Sequence, residues 1–227
     1  MTDSAFRVAV YYAPELDDPL WQAGTRWLGR DPETGATLAS PETGIAALTD
    51  EPAGYGLHAT LKPPMRLVTG ISYEHFHDAV TRLAAGLSPF ALPRLAVEDY
   101  GDFLALRDQE PSIPLQALAD CVVATLDPFR AQPGEAELAR RRKHGLTPGQ
   151  EAMLIRWGYP QVFALWQFHI TLSRRLNAEE MARAKPVADA YFAAAVGLPR
   201  QVSSLALFTQ RDAGAPFLLA ERFPFGG

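Results

Sequence analysis

His58-Ala59-Thr60-Leu61 and His169-Ile170-Thr171-Leu172 spell the same pattern, His-x-Thr-Leu, half the chain apart. Strand side chains alternate faces, so His58, Thr60 and Lys62 share one face while Ala59 and Leu61 take the other. The same rule puts His169, Thr171 and Ser173 on one face, with Ile170 and Leu172 behind. Arg175 joins that face if the strand runs on regularly; Arg174 does so only after a bulge or a strand end. If the two strands meet, one cleft holds two imidazoles and two hydroxyls.

The surroundings of the motifs repeat. Leu57 to Lys62 reads as a strand stopped by Pro63-Pro64. A helix over 72–87 follows, opened by Ser72 and buried along Phe76, Val80, Leu83, Ala84 and Leu87, and then strands over 90–97 and 103–106. Phe163 to Ser173 reads as the second motif strand, followed by a helix over 178–196 and strands over 201–210 and 217–223. Little beyond the motif matches letter for letter, but the element order matches, as in an α+β protein of two lobes. Before the first unit stand a strand over 6–12, a helix capped by Asp17 or Asp18, and a long loop from Gly29 to Gly56 with a helical turn near 45–48. That loop leads into His58 and reads equally as a cleft rim or an inert excursion. A connector over 132–160 joins the units. Its basic run, Arg140-Arg141-Arg142-Lys143-His144, has Glu135 and Glu137 a turn away and reads as a solvated helix face.

Composition narrows the field. The chain has 227 residues, 48% hydrophobic and 21% charged, which suits one soluble domain spanning 1–227. A net charge of −5 gives nucleic acid no broad attraction. Cys121, the single cysteine, excludes an intrachain disulfide and reads as a buried structural thiol. With no apolar run near the ~20 residues of a membrane span and no leader-like N-terminus, the expectation is a cytoplasmic monomer.

Two imidazoles can divide acid–base work near neutral pH, one neutral as base and one protonated as acid, with no metal. Threonine hydroxyls two residues along can donate to phosphate oxygens, and Lys62 and Arg175 can add positive charge. One His-x-Thr in a strand is common and means little; two, in matching units, argue for a site. His75 and His77 point apart on their helix and make a poor metal pair. No Gly-x-Gly-x-x-Gly, Gly-Lys-Ser/Thr, Gly-x-Ser-x-Gly or His-Glu-x-x-His stretch occurs.

The motif pair resembles the signature of the 2H phosphoesterase superfamily. That resemblance implies two pseudo-symmetric lobes, each an antiparallel sheet with outer helices, around a central cleft. It implies catalytic roles for His58 and His169, phosphate binding by Thr60 and Thr171, and metal-independent cleavage of cyclic phosphodiesters without a cofactor. The stretches Arg7 to Pro14, Trp27-Leu28-Gly29-Arg30-Asp31, His58 to Pro64, and Trp157-Gly158-Tyr159-Pro160 before Phe168-His169 resemble the branch encoded near bacterial phosphonate-degradation genes. By context this implies a small sugar cyclic phosphate as substrate. Two alternatives stay open: RNA end-processing, as in other branches, and a phosphate- or nucleotide-binding module without turnover. The residues leave undecided which histidine is base and which is acid.

Overall fold

The computed structural model describes residues 6–143 and 145–227, so His144 of the basic run lies outside the described residues. In chain order the elements are β1 (Arg7–Tyr12), α1 (Pro19–Leu28), α2 (Ala46–Ala53), β2 (Ala59–Met65), α3 (Tyr73–Ala85), β3 (Phe90–Leu92), β4 (Leu95–Asp99), β5 (Leu104–Asp108), α4 (Ile113–Leu126), α5 (Glu135–Arg142), α6 (Pro148–Trp157), β6 (Ile170–Thr171), α7 (Ala178–Val196), β7 (Arg200–Val202), β8 (Ser204–Gln210) and β9 (Leu218–Pro224). The fold is α+β, with three antiparallel sheets ordered β2-β1-β8-β9, β4-β5-β6 and β3-β7.

Local chemistry sets the helix ends. Asp18 caps α1 by accepting from the Leu20 amide at 2.8 Å, Ser72 caps α3, and Asn177 with Glu180 forms a reciprocal capping box on α7. The loop after α1 carries α2, longer than the single turn its sequence suggests.

The repeat is present in space. The run β2-α3-β3-β4-β5 is followed, after the connector α4–α6, by β6-α7-β7-β8-β9. The equivalent strands β3 and β7 pair with each other. Each half also completes the other's lobe: β6 pairs with β5, β2 joins β8 and β9 through β1, α7 packs on β4, and α3 packs on β9. The two strands nearest the centre of the large sheet, β1 and β8, are buried along almost their whole length. They therefore read as continuous apolar runs and not as alternating ones.

Four strands differ from the sequence reading. The expected 90–97 strand breaks at Pro93 and Arg94 into β3 and β4, which belong to different sheets, and the 201–210 strand breaks at Ser203 in the same way. The prolines do not stop β2. Val10 pairs with Lys62 and Val8 with Met65, so three residues of β2 span two of β1. A bulge on an edge strand tolerates the missing amide hydrogens. The second motif strand shortens to Ile170–Thr171, because Ser173 ends the ladder. Its hydroxyl accepts from the Leu104 amide at 2.9 Å, where a backbone carbonyl would otherwise continue the pairing. Cys121 is half-buried, with its sulfur 3.8 Å from the Thr125 hydroxyl, and is more open than a core thiol.

Candidate active site

Both motifs open onto one cavity of about 390 Å³ between the lobes, lined by His58, Thr60, His169 and Thr171. Each motif is anchored by a tryptophan from the other half. The Trp166 indole donates to the Thr60 carbonyl at 2.8 Å, and the Trp27 indole donates to the Leu172 carbonyl at 2.9 Å. Neither threonine hydroxyl has a hydrogen-bond partner among the described residues, so both are free to donate into the cavity.

The histidines are held alike. His58 Nδ1 lies 2.9 Å from the Gly56 carbonyl, and His169 Nδ1 lies 2.9 Å from the Gln167 carbonyl, each two residues back. A carbonyl only accepts, so Nδ1 carries the hydrogen and Nε2 is the nitrogen that takes or gives a proton. Gly56 has φ +78°, a left-handed conformation, and a Cβ there would stand 2.9 Å from Pro32. Glycine is needed to aim that carbonyl.

The walls differ. His58 stacks on Tyr11 with ring centroids 3.8 Å apart, whereas His169 sits beside Tyr100 at 5.2 Å and Phe103 at 6.1 Å. Burial disfavours the imidazolium and pushes His58 down to about 4, outweighing the support of the Gly56 carbonyl; the charge of His169 lowers it further. Burial also pushes His169 down, against the pull of the Gln167 carbonyl and with the added repulsion of Arg107. The His169 charge acts on His58, so a proton on His169 holds His58 neutral.

Lys62 is a correction. Tyr11 pairs with Thr60 and Val10 with Lys62, so Leu61 is an extra residue in the ladder. That bulge resets the alternation and turns Lys62 away from Thr60. The lysine is 0% exposed; its Nζ donates to the Val123 carbonyl at 3.1 Å and pairs with Asp127 at 3.0 Å. It binds α4 to the sheet and does not face the cavity. Arg175 does line the cavity, paired with Asp102, and the early end of β6 brings Arg174 there too, held by Glu180.

The basic run is a second correction. Arg142 pairs with Glu151 in solvent, but Arg140 and Arg141 line the cavity. Tyr11, Tyr55 and Tyr159, also in the lining, belong to no motif: in the sequence Tyr11 falls in the apolar first strand, Tyr55 in the long loop and Tyr159 in the connector. The segment after α2 supplies Tyr55 and Gly56, so the long loop is a cleft rim. Among the described residues no three histidine, cysteine or acidic side chains are grouped to hold a metal ion, and no helix is long and apolar enough to cross a membrane.

Fold and site together define a bilobal α+β protein with paired His-x-Thr motifs facing a common cleft, the arrangement that the 2H resemblance implies. A family model described as "Protein of unknown function (DUF1045)" matches residues 60–218, and the chain belongs to that family. It is 36% identical over 236 residues to a protein of Janthinobacterium sp. (strain Marseille) named ribose 1,5-bisphosphate phosphokinase PhnN, covering 100% of this chain and 52% of that one. A protein of the same name from Laribacter hongkongensis (strain HLHK9) is 35% identical over 216 residues, covering 94% and 50%. The chain thus spans about half the length of these curated relatives. The crystal structure of E. coli LigT complexed with phosphate aligns over 98% of both chains at 13% identity and TM-score 0.45, a likeness too low to carry an argument about chemistry.

Proposed function

We propose that the chain is a phosphodiesterase that opens a cyclic phosphate on a small sugar or nucleotide without a metal. The observation that carries this reading is the matched pair of imidazoles, each tied through Nδ1 and each beside a free threonine hydroxyl, on one cavity. In the proposed reaction His58 Nε2 takes a proton from water as its oxygen bonds to phosphorus. The ring P–O bond breaks, and His169 Nε2 gives its proton to the departing oxygen. Thr60 and Thr171 donate to the phosphate oxygens as charge builds there. His58 is assigned as base because burial and the charge of His169 both hold its imidazole neutral.

The relatives' name supports a ribose phosphate as substrate class. Phosphorylation itself fits the half of those proteins outside the match, because this chain has no Gly-Lys-Ser/Thr loop. A place in phosphonate breakdown is part of the same proposal. The test is a screen of ribose 1,2-cyclic and nucleoside 2′,3′-cyclic phosphates, comparing wild type with the His58→Ala, His169→Ala double variant, with and without EDTA. Turnover by the wild type alone, unchanged by EDTA, is expected. Loss of activity on chelation would point to a metal enzyme, and binding without turnover to a binding module.

A further inference from the structure

The cavity carries more positive charge than two histidine–threonine pairs require. Five arginines line it against one glutamate, Glu51, in a chain of net charge −5. Three are partnered by carboxylates: Arg174 by Glu180, Arg175 by Asp102 and Arg141 by Glu137. Arg7 is different. Its Nε donates to the neutral Gln210 amide oxygen at 2.7 Å, and its guanidinium lies 5.4 Å from the centre of the Phe217 ring. These contacts fix the direction of the group and leave its charge unneutralised.

Beside it, Tyr11 is 0% exposed, lines the same cavity, and its hydroxyl has no hydrogen-bond partner among the described residues. Native proteins rarely leave a buried donor without an acceptor, and the exceptions call for an explanation. Arg141 lies 4.8 Å from the centre of the Tyr159 ring, and its buried Nε also lacks an acceptor. Arg7, Tyr11, Arg141 and Tyr159 line the one cavity and form a corner of it next to the His58 ring that stacks on Tyr11, and both arginines act electrostatically on the Tyr11 hydroxyl. A multi-oxygen anion would satisfy every one of these donors, and the guanidinium fork suits phosphate geometry.

We infer that this corner, formed by Arg7, Arg141 and the Tyr11 hydroxyl, is a second anion subsite that takes a phosphate monoester carried by the substrate in addition to its cyclic phosphodiester. The inference rests on the phosphodiesterase reading for the role of the first subsite. It names the substrate class more narrowly: a cyclic phosphate that bears another phosphate elsewhere on the sugar.

The test measures binding by calorimetry in the His58→Ala, His169→Ala variant, where nothing is turned over. The ligands are adenosine 2′,3′-cyclic phosphate and the same compound with a 5′-phosphate. The 5′-phosphorylated form is expected to bind at least tenfold tighter. Arg7→Gln added to that variant should shrink the gap below threefold, and Arg7→Lys should keep part of it. Equal affinities, binding of neither ligand, or a gap that survives Arg7→Gln would overturn the inference. If Arg7→Gln does not fold, as judged by circular dichroism, Arg141→Gln carries the same comparison. Wild-type turnover separates the two readings: a binding gap with no turnover of either compound sinks the phosphodiesterase and keeps the subsite, and equal turnover with equal binding does the reverse.

Discussion

The assignment of His58 as base and His169 as acid makes a sharp statement about pH. The active form has His58 neutral and His169 protonated. For the free protein, kcat/KM should therefore rise as His58 loses its proton, near pH 4, and fall as His169 loses its own, below 6.5. If the alkaline limb lies at or below 6.5, no more than about a tenth of the protein has His169 protonated at pH 7.5. Activity at pH 5.5 should then exceed that at pH 7.5 by about tenfold or more. The pair interacts, so the limbs belong to the dyad, and variants are needed to divide them. His169→Ala should lower kcat by ~10²–10⁴ and erase the alkaline limb; His58→Ala should cost a similar factor and erase the acidic one. The assay is initial-rate hydrolysis of the best cyclic phosphate across pH 4–8.5. A wild-type optimum above pH 7.5 would refute the desolvation argument. An alkaline limb that disappears in His58→Ala and persists in His169→Ala would reverse the roles. Wild-type turnover in both variants would end the mechanism.

Burial of His58 also bears on stability. Its folded pKa of about 4 lies below the unfolded 6.5, so the unfolded chain takes the proton first as pH falls. Stability is then whole above 6.5 and drops between 6.5 and 4 by about 3 kcal/mol in total; urea melts should show a shallower drop for His58→Phe, and an equal drop would count against the buried neutral state. Lys62→Met should cost about 2–3 kcal/mol, at or below the usual ~3–5 for breaking a buried pair, because Arg130 and Arg156 still hold Asp127. With turnover per folded molecule retained, that result separates a structural lysine from a phosphate ligand; a large rise in KM with no loss in the urea midpoint would contradict it. Trp166→Phe removes the donor to the Thr60 carbonyl and should lower stability by about 1 kcal/mol, with an accompanying fall in kcat/KM as Thr60 loosens. Unchanged kcat/KM would mean that the tryptophan does not hold the motif.

What could be read from the sequence follows the range over which each signal acts. The bounds of α7 are written locally, in the Asn177–Glu180 box and in Gly197 after its last turn, and the structure keeps them. The alternation that pairs His58 with Thr60 acts over two residues, and both reach the cavity. The same rule fails for Lys62 one step later, because the bulge at Leu61 is set by the partner strand β1 and leaves no mark in the motif itself. The length of β6 fails for the same kind of reason: only Ile170 and Thr171 come alongside β5. The cavity role of Arg140 and Arg141 is not legible, because the charge pattern of a helix says which face is polar and not what that face docks against. Tyr11 is the hardest case. Its ring stacks on His58 and packs at a tilt against Phe208 within an apolar strand, so every hydrophobic pattern assigns it to the core, and over most of its length that is correct. Only the tip departs, since the hydroxyl is buried at the cavity without a partner. An amphipathic side chain of this kind acts through one atom, and no residue-level pattern resolves one atom. The part of the site that faces the motifs was therefore legible, and the part that would choose the substrate came from tertiary packing.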